Sequence, residues 1–325
     1  MAVLITGGSG LVGSHTVLEF MNQGKEDRIV VYDMVPPKMP EVIERLGKDV
    51  VYVDGNVLDI GRLLEVVKKH DVDGIVHASL LGNFSYIRAN PMNSVSTNFN
   101  GTLNVLELAR ARDLKVVYTS SGAVYGEVSG CVSEDHAIKP GDMYGMIKAM
   151  GELAGEQYAK TYGIDYVAVR LYFIYGQTVV SGFRPVSELF TSPVSPVDVI
   201  SQFVLRAVRK EELRIGGGGD SELDFTYVKD SALGVVLAYY FKNPPHRAYN
   251  VSTGKAYSLK TIADIINGIA GGQYIDIGPG AVAGWPPRAR CLDNSLAMQE
   301  LGYIPRYDIE SGLREYYKRL KAAIQ

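Results

Sequence analysis

The chain has 325 residues, 46% of them hydrophobic and 21% charged, a balance that suits a globular protein and leaves room for a large sheet domain with a smaller one appended. Its 33 Lys and Arg nearly offset 36 Asp and Glu, a net charge of -3, so no overall field invites nucleic acid. The longest apolar runs, such as 234–241, fall far short of a bilayer span, and residues 1–8 lack the basic lead of a secretory signal, so a soluble, cytoplasmic protein away from membranes is expected. In chain order, apolar β-branched runs predict strands at 2–6, 28–33, 50–53, 74–77, 115–119 and 165–171. Between them, helical periodicity marks 11–22, 60–69, 92–112 and 143–162, with a shorter stretch near 41–46. Such alternation predicts a parallel sheet covered on both faces, with right-handed crossovers. After Tyr175 the rhythm changes. Pro185, Pro193 and Pro196 punctuate a loop-rich stretch, helices are expected at 197–210, 229–240 and 310–321, and 216–219 reads as a glycine turn. The Lys318 to Lys321 run on the last helix reads as a solvated face. Cys131 and Cys291 have no metal or redox spacing and are expected to give no disulfide framework.

The strongest local signal is Gly7, Gly10 and Gly13, spaced G-x-x-G-x-x-G between the first strand and the first helix. The first glycine permits a tight turn, the second lets a pyrophosphate approach the backbone, and the third lets helix and sheet pack closely; the helix N-terminus then favours the phosphate charge. Asp33 ends the second strand twenty residues past Gly13, placed to accept hydrogen bonds from ribose hydroxyls and to repel a 2′-phosphate. NAD is therefore expected as cofactor, in preference to NADP. The fold class that follows is α/β: a Rossmann-type doubly wound parallel sheet with a smaller C-terminal substrate domain. Residues 1–176 form the NAD-binding part, with a return segment near 224–242, and 177–325 form mainly the smaller domain. Ser252-Thr253-Gly254-Lys255 resembles the tail of a P-loop, but Tyr249 and Ala256 break that pattern, so a turn is expected.

Tyr144 and Lys148 are four apart on a helical stretch and so share a face. A phenol is a poor base at neutral pH, but a neighbouring ammonium, joined by the positive nicotinamide ring, is expected to lower its pKa. Ser120 and Ser121 follow the fifth strand, at the sheet edge where ligands of open α/β folds bind. A hydroxyl there can hold the substrate oxygen while Tyr144 takes its proton. The five histidines show no metal-ligand spacing, and His15 and His77 fall inside expected core elements.

Together these segments resemble the extended short-chain dehydrogenases/reductases, in the NAD-dependent epimerase/dehydratase group that includes UDP-galactose 4-epimerase. The resemblance rests on Thr6 to Gly13, Asn98-Phe99-Asn100-Gly101, Ser120 to Gly126, Tyr144-Gly145-Met146-Ile147-Lys148, Asp224 to Asp230 and Leu301-Gly302-Tyr303-Ile304-Pro305, and it covers nearly the whole length. It implies that Tyr144 is the catalytic base, Lys148 its cofactor-binding partner and Ser121 the serine that holds the hydroxyl. Leu11 and Val12 would wrap the pyrophosphate, Asn56 and Val57 flank adenine, and Ala78, Ser79 and Leu80 lie beside the nicotinamide ribose. Asn98 would belong to the cofactor site, and Tyr172 would be an aromatic near the nicotinamide. Many members carry Asp where this chain has Asn56.

The departures bear on substrate. Phe173 stands where nucleotide-sugar enzymes of the group have a substrate-contacting Asn, and Leu223 where they have an Arg that meets the diphosphate. Arg288 and Arg290 are the only arginines near Asp293, where a further phosphate-binding Arg is usual. Gly122 and Ala123 offer no acid for dehydration. These changes favour a dehydrogenase acting on a sugar-like or other small hydroxyl substrate without a nucleotide, with Phe173, Ser120, Ser121, Arg184 and Arg288 as candidate contacts. Phe183, Phe190 and Trp285 are candidates for an apolar wall. The alternatives are a UDP-sugar epimerase that retains NAD, and a redox-sensing scaffold that performs no chemistry; the intact Ser121, Tyr144 and Lys148 set argues against the last. Leu103, Leu106, Met146, Met150 and Leu153 give the 92–112 and 143–162 helices more than one apolar face, so a homodimer is expected.

Overall fold

The computed structural model describes residues 2–176, 199–282 and 288–324. Seven parallel strands form the central sheet: β1 (Ala2–Thr6), β2 (Arg28–Asp33), β3 (Val50–Asp54), β4 (Val72–His77), β5 (Lys115–Ser121), β6 (Tyr166–Leu171) and β7 (Ala248–Val251). Their spatial order is β7-β6-β5-β4-β1-β2-β3. The chain winds outward from β1 to β3, then crosses to the other side of β1 to lay down β4 and the rest. That reversal is a topological switch point, and ligands of open α/β sheets bind beyond the carboxyl ends of the strands at such a point, here β1 and β4. Every residue of β1 is buried, because helices cover both faces, and its sequence is accordingly a continuous apolar run closed by Thr6.

The principal helices are α1 (Leu11–Gln23), α2 (Ile60–His70), α3 (Phe84–Ala89), α4 (Pro91–Arg112), α5 (Met143–Tyr162), α6 (Val199–Arg209), α7 (Val228–Tyr240), α8 (Leu259–Ala270) and α9 (Ile309–Ile324). α1 and α7 cover one face of the sheet; Phe20 meets Tyr239 edge-on with ring centroids 5.1 Å apart. α2, α4 and α5 cover the other, where Leu63, Val105, Leu106 and Tyr166 share a core with Leu4 and Val30. A second core gathers α6, α8 and α9 around Phe203, Leu259, Ile262 and Leu313. Leu106, expected among the surplus apolar residues, is fully buried in the first domain's core and offers nothing to a partner.

The expected Rossmann-type architecture is thus present, and the strand and helix limits in the first half fall within about two residues of those expected, except that the 41–46 stretch is helical only at Pro40–Ile43 and α3 was not anticipated. β7 was not anticipated either. Ala-Tyr-Asn-Val is too short and too polar to announce a strand; its conformation is imposed by parallel pairing with β6, Asn250 opposite Arg170. Ala297, Leu301 and Tyr303 return to the same core, so the C-terminal half touches the large sheet through three separate segments. Among the described residues no helix is long and apolar enough to cross a membrane.

The cysteines overturn their expectation. Cys131 and Cys291, 160 residues apart, are directly opposed in a short parallel strand pair and are joined as a disulfide with Cα atoms 4.5 Å apart. Sequence spacing carried no sign of this, because the fold alone brings the two segments together. Closing so long a loop restricts the unfolded chain, and losing the link should cost roughly 2–4 kcal/mol. Cys131→Ser should lower the denaturant midpoint accordingly. Thiol titration should find no free thiol in the native protein and two after unfolding in reductant; two reactive thiols in the native state would refute the cross-link.

Candidate active site

At the end of β1, Gly7 adopts φ 69°, and a Cβ there would lie 2.6 Å from the backbone of Ser79. Gly10 donates its N–H to the carbonyl of Gly7 at 3.0 Å. A Cβ at Gly13 would sit 2.1 Å from that same carbonyl oxygen, so α1 can begin in contact with the loop only because residue 13 has no side chain. No side chain caps α1, which leaves the first-turn N–H groups at Leu11 and Val12 directed at an incoming phosphate. The donor set and the cradle fit a dinucleotide pyrophosphate.

Asp33 lies beside this turn, half-buried. Its carboxylate accepts from the N–H of Ser9 at 3.0 Å and of Val35 at 3.2 Å. Burial raises its pKa, and these backbone hydrogen bonds act against the rise. Each oxygen retains a lone pair for a ribose hydroxyl. Asn56 is exposed and its Oδ1 accepts from the N–H of Leu58 at 2.9 Å, closing its own turn, while Asn104 holds the carbonyl of Val57 at 2.9 Å. Ala78 continues β4 by donating its N–H to Thr6, and Ser79 and Leu80 follow, half-buried, against the glycine turn. Asn98, expected in the cofactor site, is engaged with the backbone there. Its amide accepts from Leu81 N–H at 2.6 Å and donates to the carbonyls of Leu81 and Ser94, so it shapes the 78–81 loop and has no free donor for a cofactor.

Ser121 ends β5, and Tyr144 and Lys148 lie in the first turns of α5, whose N-cap Asp142 accepts from Gly145 N–H at 2.7 Å. Burial raises the pKa of the Tyr144 phenol; a hydrogen bond with the Ser121 hydroxyl lowers it, and Asp142 raises it further. Of the two cations expected to lower this pKa, the nicotinamide ring and the Lys148 ammonium, the ammonium is not among the influences on the phenol in the cofactor-free protein. Lys148 Nζ stands 6.0 Å from the phenol ring's centroid and donates instead to the carbonyl of Thr119 at 2.7 Å. Burial brings Lys148 down to about 8, opposed by the charge of Glu152. A proton relay through Ser121 and Tyr144, with a cation behind it, is what this arrangement can perform.

Ser120 is also corrected. Successive strand residues face opposite ways, and its hydroxyl donates to buried Glu152 rather than facing Tyr144. Two residues near Tyr144 and Lys148 were missed. Phe84, on α3, packs its ring 4.6 Å from that of Tyr144 at a tilt of 44°; no sequence signal marks it. Glu152 was legible as a charge one turn past Lys148 on the same face, and it pairs with Arg170 at 2.7 Å in the interior.

On the substrate side, Tyr172 is buried, with its ring over Gly122 and its hydroxyl donating to the carbonyl of Ala289 at 2.5 Å. Phe173 has φ 30°, in the left-handed region, and its ring meets those of Tyr172 and Phe225 edge-on. Leu223 is only 4% exposed and belongs to the second core. Arg288 reaches Asp142 at 3.4 Å, and its buried Nε has no hydrogen-bond partner among the described residues, whereas Arg290 pairs with Glu222 at 3.0 Å. Arg184, Phe183, Phe190 and Trp285 lie outside the described residues.

Comparison with known proteins shows the family and the fold. The model of the NAD dependent epimerase/dehydratase family matches residues 3–252. A putative UDP-glucose 4-epimerase of Methanocaldococcus jannaschii is 29% identical, with 98% of each chain covered. The crystal structure of a UDP-glucose 4-epimerase from Brucella ovis in complex with NAD superposes with a TM-score of 0.83 at 25% identity, covering 98% of each chain. That of an L-threonine dehydrogenase from Phytophthora infestans gives 0.82 at 24% identity over 99% of each, a likeness of fold.

The position of Asp33 yields a test of cofactor choice. NAD should bind at least about tenfold more tightly than NADP, near 1.4 kcal/mol, and Asp33→Ala should narrow that gap. Titration of each dinucleotide into the apo-protein measures it, and equal affinities in the native protein would remove Asp33 from the role.

Proposed function

The chain belongs to the NAD-dependent epimerase/dehydratase family, and from that premise we propose that it is an oxidoreductase that moves a hydride at a hydroxyl-bearing carbon of a small, sugar-like substrate carrying no nucleotide. Bound NAD supplies the hydride acceptor and a positive ring that favours the phenolate of Tyr144. Ser121 holds the substrate oxygen and Tyr144 takes its proton, while Lys148 supplies the cation behind them and binds the cofactor's ribose. Gly7, Gly10, Leu11, Val12, Gly13 and Asp33 hold the other half of the dinucleotide, with Asn56 and Val57 at the adenine and Ala78 to Leu80 and Tyr172 towards the nicotinamide.

The observation that carries the substrate reading is Leu223. The resemblance implies an Arg on the diphosphate at that position; here an isobutyl group is packed into the second core, which has no room for that cation, and Phe173 adds an aromatic wall. Two charge-assisted hydrogen bonds are forgone, roughly 1.5–3 kcal/mol each, or about two to four orders of magnitude in affinity for a nucleoside diphosphate. Arg288, held to Asp142 at 3.4 Å and with no partner for its Nε among the described residues, is suited to a single carboxylate or phosphate. The second reading is a UDP-sugar epimerase with retained NAD, favoured by likeness to proteins named UDP-glucose 4-epimerase along the whole chain.

Calorimetry with UDP, beside an NAD-reduction screen of free sugars, sugar acids and hydroxy acids, separates the two. Micromolar UDP binding would restore the epimerase. With a substrate in hand, Tyr144→Phe should reduce turnover by roughly 100-fold or more and leave NAD affinity nearly unchanged; near-normal turnover would assign the proton transfer elsewhere.

The homodimer belongs to the same proposal. Met92 is 85% and Leu153 55% exposed on α4 and α5, with Leu103, Met146 and Met150 half-buried beside them. A second copy would cover that face. Sedimentation at micromolar concentration should show a dimer that Leu153→Glu weakens, and a native monomer would exclude it.

A further inference from the structure

Beneath the Tyr144 and Lys148 pair lies a sealed polar cluster that the proposed chemistry does not use. Glu152 is 4% exposed and Arg170 5%. The carboxylate receives the hydroxyl of Ser120, Nε of Arg170 at 3.0 and 3.1 Å, and Nη2 at 2.7 Å. Arg170 also donates Nη1 to the Tyr125 hydroxyl at 2.8 Å, which donates to Asn250 Oδ1 at 2.8 Å. Buried ion pairs of this kind often stabilise a fold no better than apolar packing would, which directs attention to what else the charge does.

Glu152 is one helical turn past Lys148, so the two side chains leave the same buried face of α5. The groups facing Lys148 can be taken element by element. From α5 come Tyr144 and Glu152. From β5 come the Tyr118 ring at 5.1 Å and the Thr119 carbonyl at 2.7 Å. From β4 comes His77, whose buried imidazole is held neutral, its pKa lowered to about 3 by burial and then by the charge of Lys148. From β6 comes Arg170, on the far side of Glu152. Glu152 alone among these is an anion.

We propose that Glu152 is a positioning residue for hydride transfer: it keeps Lys148 cationic inside the site and, through Arg170 and Ser120, pins that cation to the end of β5. The proposal rests on reading Tyr144 and Lys148 as the proton-transfer pair. Burial alone drives Lys148 towards neutrality, and the charge of Glu152 is the influence that opposes it. A neutral amine would give the phenolate and the cofactor's ribose no positive charge.

The test reads Lys148 directly, without substrate. In protein carrying 13C,15N-lysine, the Lys148 side-chain resonance is identified by its loss in Lys148→Met and followed against pH. In the native protein it should titrate near pH 8 and be mainly protonated at pH 7. Glu152→Gln should lower the midpoint by about one pH unit or more, a tenfold change in protonation, and Glu152→Asp should stay near native. A midpoint unmoved by Glu152→Gln would overturn the proposal, as would Gln and Asp variants that shift it equally. A native Lys148 already neutral at pH 7 would overturn it with no variant at all, which covers the case in which Glu152→Gln does not fold. Failure of the substrate screen would leave each of these results readable.

Discussion

The candidate active site depends on how closely α5 lies against β5 and β6. A Cβ on Gly151 would come within 2.4 Å of the Tyr118 hydroxyl, and one on Gly155 within 2.0 Å of the Tyr166 ring. Side chains at either point would lift the helix from the sheet. Lys148 and Glu152 sit between and beside these contacts, and each reaches a strand group at 2.7 Å, the Thr119 carbonyl and the Arg170 guanidinium. Ammonium and carboxylate groups removed from water tolerate little displacement, because an unmet buried charge costs several kcal/mol. The glycines therefore set the height at which Lys148 and Glu152 are held, and the charges make that height difficult to change.

A comparable dependence operates at the cofactor turn. Gly7 and Gly13 touch each other's backbone space, and Ser79 closes from β4, so turn, helix and neighbouring strand form one unit. Asn98 belongs to it at one remove: by saturating Leu81 it fixes the loop that Ser79 begins. The family's Asn-x-Asn-Gly stretch is thus understood here through its hydrogen bonds to the backbone, with no ligand needed to explain it.

Features built from neighbours in sequence were legible in the sequence: the glycine turn between strand and helix, Asp33 at the end of β2, and the four-residue step from Tyr144 to Lys148. Features built by the fold were not. The Cys131–Cys291 link and β7 exist only once distant segments have been brought side by side. Ser120 is instructive because its misplacement had a local cause. Ending the fifth strand at residue 119 put both serines beyond it, where either hydroxyl could face the substrate. Extending the strand to Ser121 restores the alternation, which sends Ser121 to Tyr144 and Ser120 to Glu152. Phe84 follows β4 in a segment without periodicity, so only the packing reveals its contact with the Tyr144 ring.

The substrate side is where the lobe's own core constrains function. Asp224 is wholly buried and accepts from the N–H groups of Thr253, Gly254 and Leu292 and from the Thr253 hydroxyl, binding two distant segments at one carboxylate. With residue 224 held in this way, Leu223 faces the opposite side, into the packing of α6 and α8. A cation at 223 would have to enter that apolar layer or unpick the Asp224 knot. Phe173 is fixed from the same quarter. Its left-handed backbone costs on the order of 1–3 kcal/mol and is held by Thr226, which donates its N–H to the Phe173 carbonyl at 3.2 Å, and by the Tyr172 and Phe225 rings. The Phe173 ring is therefore held by the same contacts that fold the second core, and the aromatic wall proposed for the substrate would come from that packing.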